Sequence, residues 1–234
     1  MPDSSQPEQR RSINPWTIWV PIIVMVLGVV VLYNYLINEQ QRQIGEDKDR
    51  PPFLSRLESD LVLVDQRGKE VNISQLEGKI LLASWVFTRC PRGCAGVVAK
   101  LKKLREEYAN NPDVYFISFT LDPEDTPEMM DKFASGLGIT EKDNWWFVNG
   151  PKDRVRDYLT RYVQFRPVQD LPEADRLSSD DKYIHDLRVA LIDHKGHVRG
   201  LHDIMNSDPE FQKFWDEKLR KDLNYVIAEK KSGK

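Results

Sequence analysis

Ile80-Leu81-Leu82-Ala83-Ser84-Trp85-Val86-Phe87-Thr88-Arg89-Cys90-Pro91-Arg92-Gly93-Cys94 is the stretch on which the reading of this chain turns. Its first eight residues form a nearly unbroken apolar run. A strand with one wet face alternates apolar and polar residues, so a run without alternation marks a strand buried on both faces. After the cysteines, Val97, Val98, Leu101, Leu104 and Tyr108 recur at the spacing of one helical face. The stretch therefore reads as a buried strand turning into a helix, with two cysteines at the turn. With Cys90 near the N-cap and Pro91 at the first helical position, the free N–H groups and dipole of the helix start favour thiolate over thiol. The i, i+4 spacing puts both sulfurs on one face, close enough to share a metal ion or close a disulfide. A disulfide across so short a loop removes little unfolded-state entropy, which favours a reactive or metal-binding pair over a structural staple. The pair has one residue more between its cysteines than the C-x-x-C of redox enzymes.

Working outward, residues 61–64 and 71, on either side of Gln66-Arg67-Gly68-Lys69, read as a hairpin, and 114–121 as a second buried strand. Residues 127–137 read as a helix with Asp125 or Thr126 as N-cap. A short strand at 145–148, a helix at 151–162, a hairpin of 187–193 and 197–201 around Lys195-Gly196, and an amphipathic helix at 209–227 complete the series. Strand–helix–strand followed by a hairpin and a last helix is the order of a thioredoxin-like α/β domain, with helices on both faces of the sheet. The domain is expected over 53–229, with 230–234 as a tail. Residues 165–186 offer no element, and a gap that long in a compact domain points to a functional or mobile segment.

The chain has 234 residues, 40% of them hydrophobic, and a net charge of −3 from 34 basic and 37 acidic side chains. That balance excludes the basic footprint of a nucleic-acid binder, and two cysteines exclude a disulfide-dense scaffold. Of the 22 residues 16–37, 18 are apolar, and no charged side chain occurs from Ser12 to Asn38. As a helix this window spans about 33 Å, enough for a hydrocarbon core of roughly 30 Å. Trp16 and Trp19 at one end, with Tyr33 and Tyr35 at the other, suit two membrane interfaces. No small-residue cleavage site follows the window, so it reads as a retained signal anchor. Arg10 and Arg11 before the span place 1–15 in the cytoplasm and the rest outside it. Residues 38–52, rich in Gln, Glu, Asp, Lys and Arg, read as a solvated linker.

The chain has four histidines, His185, His194, His197 and His202. Three features stand in order: Phe87-Thr88-Arg89-Cys90-Pro91-Arg92-Gly93-Cys94, the turn Asp122-Pro123-Glu124-Asp125-Thr126-Pro127, and His185 eight residues ahead of the aspartate of Leu191-Ile192-Asp193. In these the chain resembles the SCO/SenC proteins over about residues 54 to 228, plus the anchor. They are membrane-anchored, thioredoxin-like, copper-handling proteins of cytochrome c oxidase assembly. The resemblance implies copper as the bound ion, Cys90, Cys94 and His185 as its ligands, and Cys90 and Cys94 as a redox pair. It also implies a copper-receiving subunit of cytochrome c oxidase, or another cuproprotein, as partner. The expected place is a bacterial inner membrane with the domain facing the periplasm or cell exterior; a mitochondrial inner membrane is the alternative. Two thiolates suit Cu(I), and an imidazole extends the site towards Cu(II).

Three departures from the family pattern matter. Ala95 stands where a proline often follows the second cysteine. The turn at Asp122 is one residue short, and strand end plus helix cap suffices to explain it. Arg89 and Arg92 make the cysteine loop cationic, favouring thiolates but opposing an incoming copper ion. His194, His197 and His202 are expected at the surface of the hairpin. The competing function is a membrane-anchored thiol–disulfide oxidoreductase, in which Cys90 attacks and Cys94 resolves.

Overall fold

The structure is a computed structural model that describes residues 14–45, 49–140 and 142–233, with 39–45 as backbone only. Arg10, Arg11 and most of the expected cytoplasmic segment 1–15 lie outside the described residues. The chain divides into two units, 1–48 and 49–234.

The first unit is a single helix, α1, Trp16–Gly45. Asn14 caps it, its side-chain oxygen accepting from the Trp16 N–H at 3.1 Å. Its section Trp16–Asn38 is long and apolar enough to cross a membrane. The helix does not end with the apolar window but runs on into the expected linker as far as Gly45. Glu39 to Gln43 are good helix formers that extend an existing helix at little cost.

The second unit carries an eight-stranded sheet whose strands lie side by side in the order 55–56, 197–202, 189–192, 80–86, 114–120, 145–149, 62–65 and 70–72. Along the chain its elements are β1 (Ser55–Arg56), β2 (Val62–Asp65), β3 (Glu70–Asn72), β4 (Ile80–Val86), α2 (Cys94–Glu107), β5 (Val114–Thr120) and α3 (Pro127–Gly136). There follow β6 (Trp145–Asn149), α4 (Lys152–Tyr158), β7 (Gln169–Asp170), β8 (Tyr183–Ile184), β9 (Val189–Ile192), β10 (His197–His202) and α5 (Pro209–Lys231). All seven residues of β4 are buried, as an apolar run without alternation requires. β4 pairs in parallel with β5, Ile80 opposite Val114 through Val86 opposite Thr120, and β5 in parallel with β6. Val97, Val98, Leu101 and Leu104 of α2 and Leu219, Leu223 and Val226 of α5 complete the core. A polar pair at the sheet centre is satisfied: the Ser84 and Ser118 hydroxyls lie 3.1 Å apart, and the Trp145 indole N–H donates to Ser118.

Thr126 is the cap of α3, accepting from Met129 N–H, with Pro127 in the first turn. Three expectations are corrected. α2 begins at Cys94, not Pro91. The 165–186 segment is not devoid of elements, since β7 and β8 pair as a small separate sheet. The last helix extends to Lys231, four residues further than its apolar pattern marked, into the expected tail.

β9 runs antiparallel to β4, with Leu81 opposite Ile192 and Ala83 opposite Ala190. The beginning of β9 therefore lies beside the end of β4. This register brings residues just before Val189 to the turn that carries the cysteines, and the site follows from it.

Candidate metal centre

Leaving β4, the chain folds back on itself, with the Cys90 N–H donating to the Phe87 carbonyl at 3.0 Å. Gly93 then takes φ +127°, a conformation that any side chain would strain, and acts as the N-cap from which α2 starts. Cys90 thus sits on the turn, half-buried, while Cys94 is the first helical residue and fully buried. The helix-face argument for the pair does not hold, because Cys90 lies ahead of the helix. The turn brings the sulfurs together instead.

His185 arrives from the segment before β9. Its Nε2 lies 3.2 Å from the Cys94 sulfur, and the donor atoms of Cys90, Cys94 and His185 all lie within 4.8 Å of one another. Its Nδ1 is 2.9 Å from the Asp186 carbonyl, which can only accept, so Nδ1 carries the proton and Nε2 faces the sulfurs. Among the described residues no other group of three such donors comes together. Both cysteines are free, and the trio could hold a metal ion.

The two thiols are electrostatically unequal. A hydrogen bond from Cys94, opposed by burial and joined by His185 and the Arg92 N–H, draws the Cys90 thiol down to about 4. Its bond to Cys90, and its own burial, push the Cys94 thiol well above its ordinary value. Cys90 is the acidic member, drawn down chiefly by the Cys94 thiol and by His185, with the N–H groups of Cys94, at the start of α2, and of Arg92 adding to the effect. The expected cationic field of the loop is largely cancelled. Arg89 pairs with Asp122 at 2.9 Å, Glu124 at 3.1 Å and Asp180 at 3.4 Å, and Arg92 pairs with Asp181 at 2.5 Å.

Around the ligands, buried aspartates do work that sequence reasoning missed. Asp186 accepts from the backbone N–H of Arg166 at 2.9 Å and of Arg188 at 3.1 Å, joining the two ends of the excursion that carries His185. The ring of Tyr183 packs edge-on against Phe87 at 5.7 Å. Asp125, also buried, accepts from the Thr88 N–H at 3.1 Å and from the Thr88 and Thr120 hydroxyls, bracing the exit of β4. The shortened turn is thus a strut for the cysteine loop. Nothing in the local sequence distinguished these aspartates from solvated ones, although Asp186 adjoins the candidate ligand.

The other histidines stand apart from the trio. His194 and His197 are half-buried on the hairpin, and His197 meets Asp193 at 3.4 Å. His202 is not at the surface, as expected, but 1% exposed, its Nε2 2.9 Å from Asp222. β10 is an interior strand and α5 covers it, so the ring needed a buried partner.

The family model described as SCO1/SenC matches residues 50–214. The chain belongs to the SCO1/SenC family. Among SCO1/SenC relatives, the SCO1 protein homolog of Bacillus subtilis (strain 168) is 31% identical over 137 residues, covering 57% of this chain and 67% of the relative. The fold is similar to that of BsSco, described as a member of the Sco family of cytochrome c oxidase assembly proteins. The TM-score is 0.56 at 24% identity, over 74% of this chain and 97% of that one. It is also similar to Bradyrhizobium japonicum ScoI with copper bound, with a TM-score of 0.51 at 21% identity, over 68% and 98% of the two chains.

Proposed function

We propose that this SCO1/SenC protein binds copper through Cys90, Cys94 and His185 and delivers it outside the cytoplasm to a copper-receiving subunit of cytochrome c oxidase or another cuproprotein. The convergence of two sulfurs and one imidazole nitrogen within 4.8 Å carries the reading. Two soft sulfur donors suit Cu(I), and the nitrogen makes Cu(II) tenable. Three ligands leave a coordination position open for an incoming donor. Cys90 and His185 are half-buried and Cys94 is sealed, so exchange would begin at the first two. The copper found with ScoI and the assembly role given for BsSco support the cargo and the destination. The apolar section of α1 would anchor the protein in a bacterial inner membrane, and Arg10 and Arg11 would keep the N-terminus cytoplasmic.

A second reading rests on the unequal thiols. A Cys90 thiolate beside a protonated Cys94 is the arrangement of an attacking and a resolving sulfur, so the same pair can reduce a target's disulfide. His185 separates the two readings, since disulfide exchange needs no remote imidazole. His185→Ala should weaken Cu(II) binding by more than the roughly 10–100-fold that losing an outer-shell partner costs, Cu(I) binding less, and disulfide reduction least. His194→Ala and His197→Ala should change none of these. Wild-type protein that reduced disulfides yet bound neither copper ion would leave the oxidoreductase reading alone standing.

A further inference from the structure

We infer that Arg92 is a positioning residue: it latches the segment bearing His185 onto the cysteine turn and so determines whether the imidazole reaches the metal site. The inference rests on the copper reading for its consequence, but the latch itself is a property of the metal-free protein.

Arg92 lies between the two cysteines, and its guanidinium reaches across to the other loop. Its Nε is 2.6 Å and 2.8 Å from the two carboxylate oxygens of Asp181, and its second nitrogen is 2.5 Å from one of them. That nitrogen also donates to the Asp175 carbonyl at 3.2 Å. Asp181 is 1% exposed and four residues ahead of His185, and it accepts from the Leu177 N–H at 2.8 Å. One side chain of the cysteine turn therefore grips the His185 segment at Asp175 and Asp181. Arg89, just before Cys90, adds a looser grip on the adjacent Asp180 at 3.4 Å.

The other end of the segment is held differently. Asp186 ties it to Arg166 and Arg188, within the excursion and at the approach to β9, with no link to the cysteines. Residues 177–185 are thus fixed at Asp186, paired through β8 with β7, tied by Lys182 to Glu124 at 3.0 Å and by Tyr183 to Phe87, and joined directly to the cysteine turn by Arg92. A planar, two-point guanidinium–carboxylate pair fixes direction as well as distance, which a lysine cannot reproduce. Without it the segment keeps its pairing with β7 and its bond at Asp186 but loses the direct tie between Asp181 and the cysteine turn, so Nε2 is held less closely to Cys94. The cysteines, held by the turn and by α2, keep their places. The latch therefore acts on the nitrogen ligand and spares the sulfur ligands.

The test compares wild type, Arg92→Ala and Arg92→Lys as full-length protein in detergent micelles. Metal-free, reduced protein is examined by amide hydrogen exchange over 177–186, and Cu(I) and Cu(II) affinities are measured separately. Arg92→Ala should exchange faster in that segment and lose roughly 10–100-fold in Cu(II) affinity, the size of an outer-shell loss, with Cu(I) affinity little changed. Arg92→Lys should fall between the two on both readouts. Unchanged exchange in Arg92→Ala overturns the latch. So does an equal loss of both ions, which would mean that the cysteine turn itself was disturbed. If wild type bound neither ion, the proposed function would fall, while the exchange comparison would still decide whether Arg92 holds the segment.

Discussion

Removing the Cys94 thiol should cost Cys90 its acidity, by an amount the site geometry sets. The hydrogen bond from Cys94 is the largest influence drawing Cys90 to about 4; burial opposes it, and His185 and the Arg92 N–H contribute less. A hydrogen bond to a charged acceptor contributes about 1.5–3 kcal/mol, and one pKa unit corresponds to about 1.4 kcal/mol. Cys94→Ala should therefore raise Cys90 by roughly 1–2 units. Cys94→Ser, which keeps a donor in the same place, should raise it by much less. The assay is the pH dependence of Cys90 alkylation in the reduced, metal-free protein, checked by the ultraviolet absorbance of the thiolate. The inflection is the quantity to compare. Absolute rates mislead, because a less acidic thiolate is intrinsically more nucleophilic and offsets its smaller ionised fraction. An alanine variant that inflects with the wild type near 4 would show that Cys94 is not the donor. A wild-type inflection between about 8 and 9, the range of a free thiol, would remove the stabilised thiolate altogether. The same shift carries a stability consequence of definite sign. The folded value lies below the unfolded one, so between the two the native state binds fewer protons and stability rises with pH. That contribution is lost as pH falls through about 4.

Two further predictions concern the buried charges of the frame. Arg199 is fully buried between Asp193 at 2.9 Å and Glu229 at 2.5 Å and donates to the Pro51 carbonyl at 3.0 Å. Arg199→Ala removes the shared cation from two buried carboxylates, leaving Glu229 with Arg50 at 2.9 Å and Asp193 with the Lys195 and His197 N–H groups. It should cost about 3 kcal/mol in urea unfolding, the low end of breaking a buried pair; a loss below about 1 kcal/mol would contradict the importance of the buried cation. Burial alone would raise the Asp222 carboxyl, but hydrogen bonds from His202 and Lys218 outweigh it and hold the group below its ordinary value. Its contribution is present at neutral pH and fades as pH falls through and below about 4, so Asp222→Asn should flatten the acid limb of the stability curve. An acid limb as steep as wild type would reassign that pH dependence to other carboxylates.

What could be read from sequence divides along a physical line. β4, β5 and the hairpin of β9 and β10 were legible because burial on both faces, or a Lys-Gly turn, leaves a local pattern. Cys90 and Cys94 were legible as a close pair at the turn from strand to helix, whereas His185 was singled out only by the resemblance to the SCO/SenC proteins. The start of α2 was not. Proline is the usual signal for a first helical position, but here the positive φ of Gly93 sets the boundary three residues later. Nor was the burial of His202, whose partner Asp222 lies 20 residues away on α5 and is invisible to any short window. The same limit governs the site. That Cys90, Cys94 and His185 meet follows from the antiparallel register of β9 on β4, a pairing between residues more than 100 apart in sequence. The cationic loop was misjudged for a related reason. Arg89 and Arg92 look unpaired in a linear reading, because Asp122, Asp180 and Asp181 reach them only after the sheet has formed. A charge next to a candidate ligand in sequence is thus no guide to the field at the site until its long-range partners are known. Here those partners turn two apparent obstacles to a cation into the ties that hold the site's two halves together.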